Sequence, residues 1–93
     1  MTLAELNVES LIGEIVVLDV ASPFVFAGRL VAAQSDYLVL EQADCHDLRD
    51  TSTTRDKYVL DCSRHGLSPN RSRVWVNRRE VVAISRLDDV LGA

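Results

Sequence analysis

The run Phe24-Val25-Phe26-Ala27-Gly28-Arg29-Leu30-Val31-Ala32-Ala33 is too long for an ordinary flat strand, and a glycine sits in its middle. Glycine inside a strand pattern marks a bulge, a tight bend or the close approach of another backbone. The chain on either side is cut into short apolar runs. Glu14–Val20 is rich in β-branched residues and reads as a strand, with Ala21-Ser22-Pro23 as the turn after it. Gln34-Ser35-Asp36 turns the chain again, into a strand over Tyr37–Ala43. Residues 46–57 are polar and read as a solvated loop or hairpin tip, followed by a short strand over Tyr58–Cys62. Gly66 to Asn70 is turn chemistry. Strands over Ser72–Val76 and Glu80–Leu87 then flank the break Asn77-Arg78-Arg79, and 88–93 is a tail with at most a helical turn. Ahead of all this, Leu3, Leu6, Leu11 and Ile12 are spaced for a short helix over about 3–12, with Thr2 and Glu5 as a capping box and Gly13 as its end. Many short strands with closely spaced turns favour a barrel or sandwich, and a helix leading into a strongly bent sheet favours a small barrel. The expectation is one all-β domain over 1–93: an SH3-like barrel of five strongly bent antiparallel strands with a short N-terminal α-helix.

Charge is unevenly spread. Residues 1–63 carry a formal −7, residues 64–79 carry +5 with no acid among them, and 80–93 carry −2, within a net charge of −4. Such asymmetry suggests a localised anion-binding face; the alternative is strand arginines that keep edges soluble. No apolar run approaches the ~20 residues needed to span a bilayer. The N-terminus lacks the basic start and apolar stretch of a signal peptide, so the expected setting is cytoplasmic, with Cys45 and Cys62 reduced.

The chemistry-bearing motifs are few. There is no nucleophile elbow, phosphate-binding glycine loop, zinc-protease motif or calcium loop, so binding rather than catalysis is expected, with no cofactor. Arg78 and Arg79 are suited to phosphate oxygens, which guanidinium groups engage through paired hydrogen bonds. Residues 64–73, with Arg71 and Arg73, form a basic stretch able to reach a nucleic-acid backbone, although no aromatic is interleaved in it. Cys45, Cys62 and His65 are weak metal candidates: a hairpin over 45–62 would oppose the cysteines, and His65 follows Cys62 at a zinc-like spacing. Two buried thiols are the preferred reading. Trp75 belongs to the core or to a subunit contact, with ligand stacking third.

Two segments resemble the motifs of Sm-like (LSm/Hfq) proteins. The first is Phe26-Ala27-Gly28-Arg29-Leu30, the turn Gln34-Ser35-Asp36, and Tyr37-Leu38-Val39-Leu40; the second is Val74-Trp75-Val76, Asn77-Arg78-Arg79, and Val81-Val82-Ala83-Ile84. With the helix, the resemblance covers residues 3–44 and 72–87 and leaves 45–71 as a long insertion between strands three and four. It implies a homo-oligomeric ring, hexamer or heptamer, in which strand four of one chain pairs with strand five of the next. It also implies single-stranded RNA bound at the turns after strands two and four. The second turn places Asn77, Arg78 and Arg79 there and keeps the basic character of the Hfq-type sequence, while departing from the Arg-Gly of eukaryotic Sm proteins. The first turn departs further. The family's aspartate falls on Gln34, its base-contacting asparagine on Leu38 and its stacking position on Asp36, with Tyr37 one residue away. The functional expectation is RNA binding by such a ring; the alternative is a protein-interaction scaffold using 45–71, and no membrane partner is expected.

Overall fold

The computed structural model describes residues 7–50 and 52–92. Five antiparallel strands make one sheet: β1 (Ile15–Val20), β2 (Phe24–Ala33), β3 (Tyr37–Asp47), β4 (Arg71–Asn77) and β5 (Val81–Arg86), in the order β4-β3-β2-β1-β5. Strand three is therefore paired by Arg71–Asn77, through Leu38↔Val76 and Leu40↔Val74. Residues 3–6 of the expected N-terminal helix, with Thr2, lie outside the described residues. Within them the segment is a 3-10 turn over Val8–Leu11, where the Asn7 side chain accepts a hydrogen bond from the Ser10 amide at 3.1 Å.

The bend expected at Gly28 comes from the strand opposite it. The β2–β3 register runs Ala27↔Asp44 and then Arg29↔Glu41, so β3 carries one extra residue across from Gly28. That bulge is accommodated by Gln42, which takes a left-handed φ of 48°. A second irregularity, between Leu30↔Leu40 and Ala32↔Val39, places the extra residue on β2 and restores the original register. The two bulges curl both strands while the side chains beyond them keep their faces.

The sheet is buried on both sides. On one face Val16, Leu18, Leu30, Leu38, Leu40 and Val76 form the main core. On the other, Val17, Val25 and Ala27 meet Tyr58 and Cys62. These last two correct the sequence reading: Tyr58–Cys62 lies within helix α1 (Arg55–His65) and is not a strand. The Thr54 side chain caps it by accepting from the Lys57 amide at 3.2 Å, Lys57 pairs with Asp61 at 2.9 Å, and Gly66 ends it at φ 85°. Tyr58 and Cys62 are one helical turn apart and so share the buried face. A triplet such as Tyr58-Val59-Leu60 is too short for periodicity to separate strand from helix, and the contact with the sheet decides. The connection over 45–71 is thus no hairpin: β3 continues to Asp47 and α1 folds back over the sheet.

Candidate nucleic-acid interface

The β3–β4 ladder ends at the pair Tyr37↔Asn77, which brings the turn before β3 beside the turn after β4. Each turn is closed locally. The Gln34 amide donates to the Tyr37 carbonyl at 2.8 Å, and the Asn77 side chain accepts from the Arg79 amide at 3.0 Å, capping a 3-10 turn over Arg78–Glu80. Arg78 then ties the two together: its amide donates to the Asp36 carbonyl and its guanidinium to the Gln34 carbonyl, both at 2.8 Å. Between the joined turns lies an open, mainly polar cleft of about 250 Å³ lined by Asp36, Tyr37, Asn77 and Arg79.

The neighbouring arginines 78 and 79 have different surroundings. The Arg78 guanidinium is spent on the backbone of the first turn, whereas Arg79 lines the cleft and is exposed. Arg79 provides a cation for a phosphate, Tyr37 a 42% exposed ring, and Asn77 a side chain committed through its oxygen to the turn. Asp36 adds a carboxylate to the same cleft.

Arg71 and Arg73 stand apart from the cleft, farther along β4. Arg71 donates to the Asn70 carbonyl at 3.0 Å. Arg73 pairs with Glu41 at 2.6 Å, and its guanidinium carbon lies 6.0 Å from the centre of the Trp75 ring. Val74 and Val76 face the main core, so alternation puts Arg71, Arg73, Trp75 and Asn77 on the opposite face. Trp75 is 53% exposed. It is not in the core, one of the two places the sequence reading allowed it; the other, a subunit contact, needs an exposed side chain.

The metal candidates are separated. Cys45 packs against the main core on one side of the sheet, Cys62 belongs to the cluster on the other, and His65 is exposed at the end of α1. The opposition of the cysteines across a hairpin fails because 55–65 is helical. Burial pushes both thiols above their ordinary range, which disfavours the thiolate that binds metal. Among the described residues no group of three or more His, Cys, Asp or Glu is placed to hold a metal ion.

Sequence reasoning missed the residues that dock α1. The Arg55 guanidinium donates to the Ser22 carbonyl at 3.1 Å and the Phe24 carbonyl at 3.2 Å, and lies 3.5 Å from Asp19. The Tyr58 hydroxyl donates to the Asp44 carbonyl at 3.3 Å, while its ring stacks on His46 with centres 4.5 Å apart. The Asp44 carboxylate, itself buried, accepts from the Ser68 amide at 3.0 Å. A signal for this second layer was present: Ile15–Leu18 and Phe24–Ala27 are apolar without alternation, as in strands covered on both faces.

No protein-family model matches the chain, and no curated protein matches it. Solved structures do. The Sm protein of Pyrococcus abyssii, in complex with a uridine heptamer, is similar at a TM-score of 0.57 and 18% identity, over 84% of this chain and 89% of that one. A chain of the NatC complex bound to CoA is similar at 0.55 and 21% identity, over 90% and 86%. A chain of that complex bound to Gag peptide and CoA gives 0.52 and 20%, over 84% and 87%. The bulged second and third strands, the order β4-β3-β2-β1-β5 and these similarities together show that the chain has an Sm-like fold.

Proposed function

We propose that this protein binds single-stranded RNA as a homo-oligomeric ring, through the cleft between the two joined turns. The observation that carries the reading is the convergence of Tyr37 and Arg79, a stacking ring and an exposed cation 42 residues apart in sequence, on one open cleft. The similarity to an Sm protein that holds a uridine heptamer supports the ligand class. The sheet supports the ring: β4 and β5 are its two edges, and different edges that pair head to tail generate a closed ring when the rotation permits. Beside β5 lies an apolar groove of about 290 Å³ that includes Val8, Leu38, Val82 and Ile84, with Val82 73% exposed. An edge of this kind is normally covered by a partner strand.

The test is binding of a labelled oligouridylate as a function of salt. Arg79→Ala should weaken binding several-fold and reduce the slope of log K against log salt by about 0.7, the value for one phosphate contact on a single strand. Unchanged affinity and slope in this variant would overturn the cleft as the RNA site.

A second reading, a scaffold for other proteins, is favoured by the similarity to chains that belong to the NatC complex. The surface in question is the outward side of α1, with Asp56, Lys57, Arg64 and His65. Because Tyr58 and Cys62 are part of a core, deleting 45–71 would damage the fold. Charge reversal at Lys57 and Arg64 is the cleaner experiment, and protein partners that all survive it would remove this reading.

A further inference from the structure

The β3–β4 register assembles a surface that no single stretch of the sequence contains. Tyr37 pairs with Asn77, Val39 with Trp75, Glu41 with Arg73 and Ala43 with Arg71. Since Leu38, Leu40, Val74 and Val76 point into the main core, the first three pairs lie on the opposite, outer face, while beyond the bulge at Gln42 Ala43 itself belongs to the core. On it Tyr37 and Trp75 are diagonal neighbours, which sets them about 7–8 Å apart, within the reach of adjacent bases on one strand. Both rings are substantially exposed, at 42% and 53%. Arg71 and Arg73 continue the line beyond Trp75, and Arg79 stands at the Tyr37 end in the cleft. Arg73 is held in place on two sides, by Glu41 at 2.6 Å and by the Trp75 ring at 6.0 Å. Neighbouring exposed aromatics flanked by arginines suit single strands, because every base has a face to stack and every nucleotide a phosphate. The charge agrees: from residue 64 to residue 79 the chain carries five arginines and no acid.

We infer that the outer face of the β3–β4 pair is a stacking track for single-stranded RNA, with Trp75 as its principal stacking residue and Arg71 and Arg73 as its phosphate contacts. The inference rests on RNA as the ligand proposed above, and extends the contact from the cleft, through Tyr37, along the sheet. Pairing of the β4 edge with another copy leaves this face open, because strand side chains stand perpendicular to the direction of the ladder.

Trp75 is the chain's one tryptophan, so its fluorescence reports on this face alone. Oligouridylate is titrated into the full-length protein while tryptophan emission and the anisotropy of the labelled oligonucleotide are followed together. Saturable quenching that tracks the anisotropy is expected. Trp75→Leu should weaken binding about 5- to 100-fold, in line with the loss of one stacked base. Arg71→Gln with Arg73→Gln should lower the salt slope by about 1.4. Acrylamide quenching and native mass of the free protein provide the control for a covered tryptophan. Binding that leaves the emission unchanged, with Trp75→Leu at full affinity, overturns the track and leaves the cleft standing. Quenching that persists undiminished in Arg79→Ala does the reverse. A tryptophan shielded from acrylamide, together with loss of oligomer in Trp75→Leu, shows that the face is a subunit contact and overturns the inference; no binding of any kind overturns both.

Discussion

Gly28 has no room for a side chain. A Cβ there would stand 3.0 Å from the Glu41 carbonyl oxygen and 3.1 Å from the Ala43 Cα, both backbone atoms of the bulged β3. Gly28→Ala therefore has to push two strands apart at the bend, at an expected cost of about 1–3 kcal/mol. For a domain of this size each kcal/mol lowers the melting temperature by roughly 4–8 °C, which calorimetry or thermal circular dichroism would detect. A variant as stable as the parent would mean that the bulge relaxes freely. At the turns, the residue scale separates two neighbours that look equivalent in sequence. Arg78→Ala removes a guanidinium bond that joins the turns and should lower stability by about 1 kcal/mol. Arg79→Ala should leave stability within about 0.5 kcal/mol, as expected for a surface substitution, while altering RNA binding. Denaturation curves and salt titrations of the two single variants would show whether the roles divide in this way.

At the scale of elements, α1 is held to the sheet by one face. Tyr58→Ala empties that contact and leaves a cavity against Val17, Val25 and Ala27, at an expected cost of about 3 kcal/mol or more in a urea melt. Its ionisation has the same consequence. Burial, reinforced by the bond to Asp44, raises the Tyr58 hydroxyl well above the ordinary phenol range, and burial also raises the Cys62 thiol. A folded-state pKa above the unfolded one contributes stability that is fully present below the unfolded value. These values are 9.0 for a thiol and 10.0 for a phenol, so the contribution is progressively lost as pH rises above about 9. The docked helix is thus expected to loosen in alkali before the main core does. Tyrosine absorbance at 295 nm and thiol reactivity against pH would follow it; a Cys62 thiol titrating at its free value would contradict the packing. Near the loop before α1 the sign reverses. Arg49 bonds Asp47 and lowers its carboxyl to about 2, so the folded state gains from that pair above the unfolded carboxylate range and loses the gain as pH falls toward 2. The pair is exposed and screened by solvent.

At the scale of the molecule, β4 and β5 are the edges of the sheet among the described residues, and the functional reading depends on what covers them. Native mass spectrometry before and after nuclease treatment is expected to show a closed hexamer or heptamer whose RNA is lost on treatment. A ring without RNA would favour the protein scaffold, and a strict monomer would remove the ring. Substituting Val82→Asp beside the apolar groove should shift a ring toward smaller species, because one charge per interface would be left without water.

Much of the architecture was legible in the amino-acid order because it depends on local periodicity. The long run around Gly28, the break at Asn77–Arg79 and the short apolar strands each announce themselves within ten residues or so, and the turns that make the cleft are spelled out in polar residues. The sequence by itself determined a bent sheet of short antiparallel strands and a basic segment near its end. Tertiary structure alone decided three things. It made Tyr58–Cys62 helical, because the outer side of β1 and β2 needed cover and a helix presents Tyr58 and Cys62 on one side. It divided Arg78 from Arg79, because the first turn offers its carbonyls to one and not the other. And it brought Tyr37 to Trp75, since strand register is a long-range choice set by which side chains fill the core, and which residues then share the outer face follows from it.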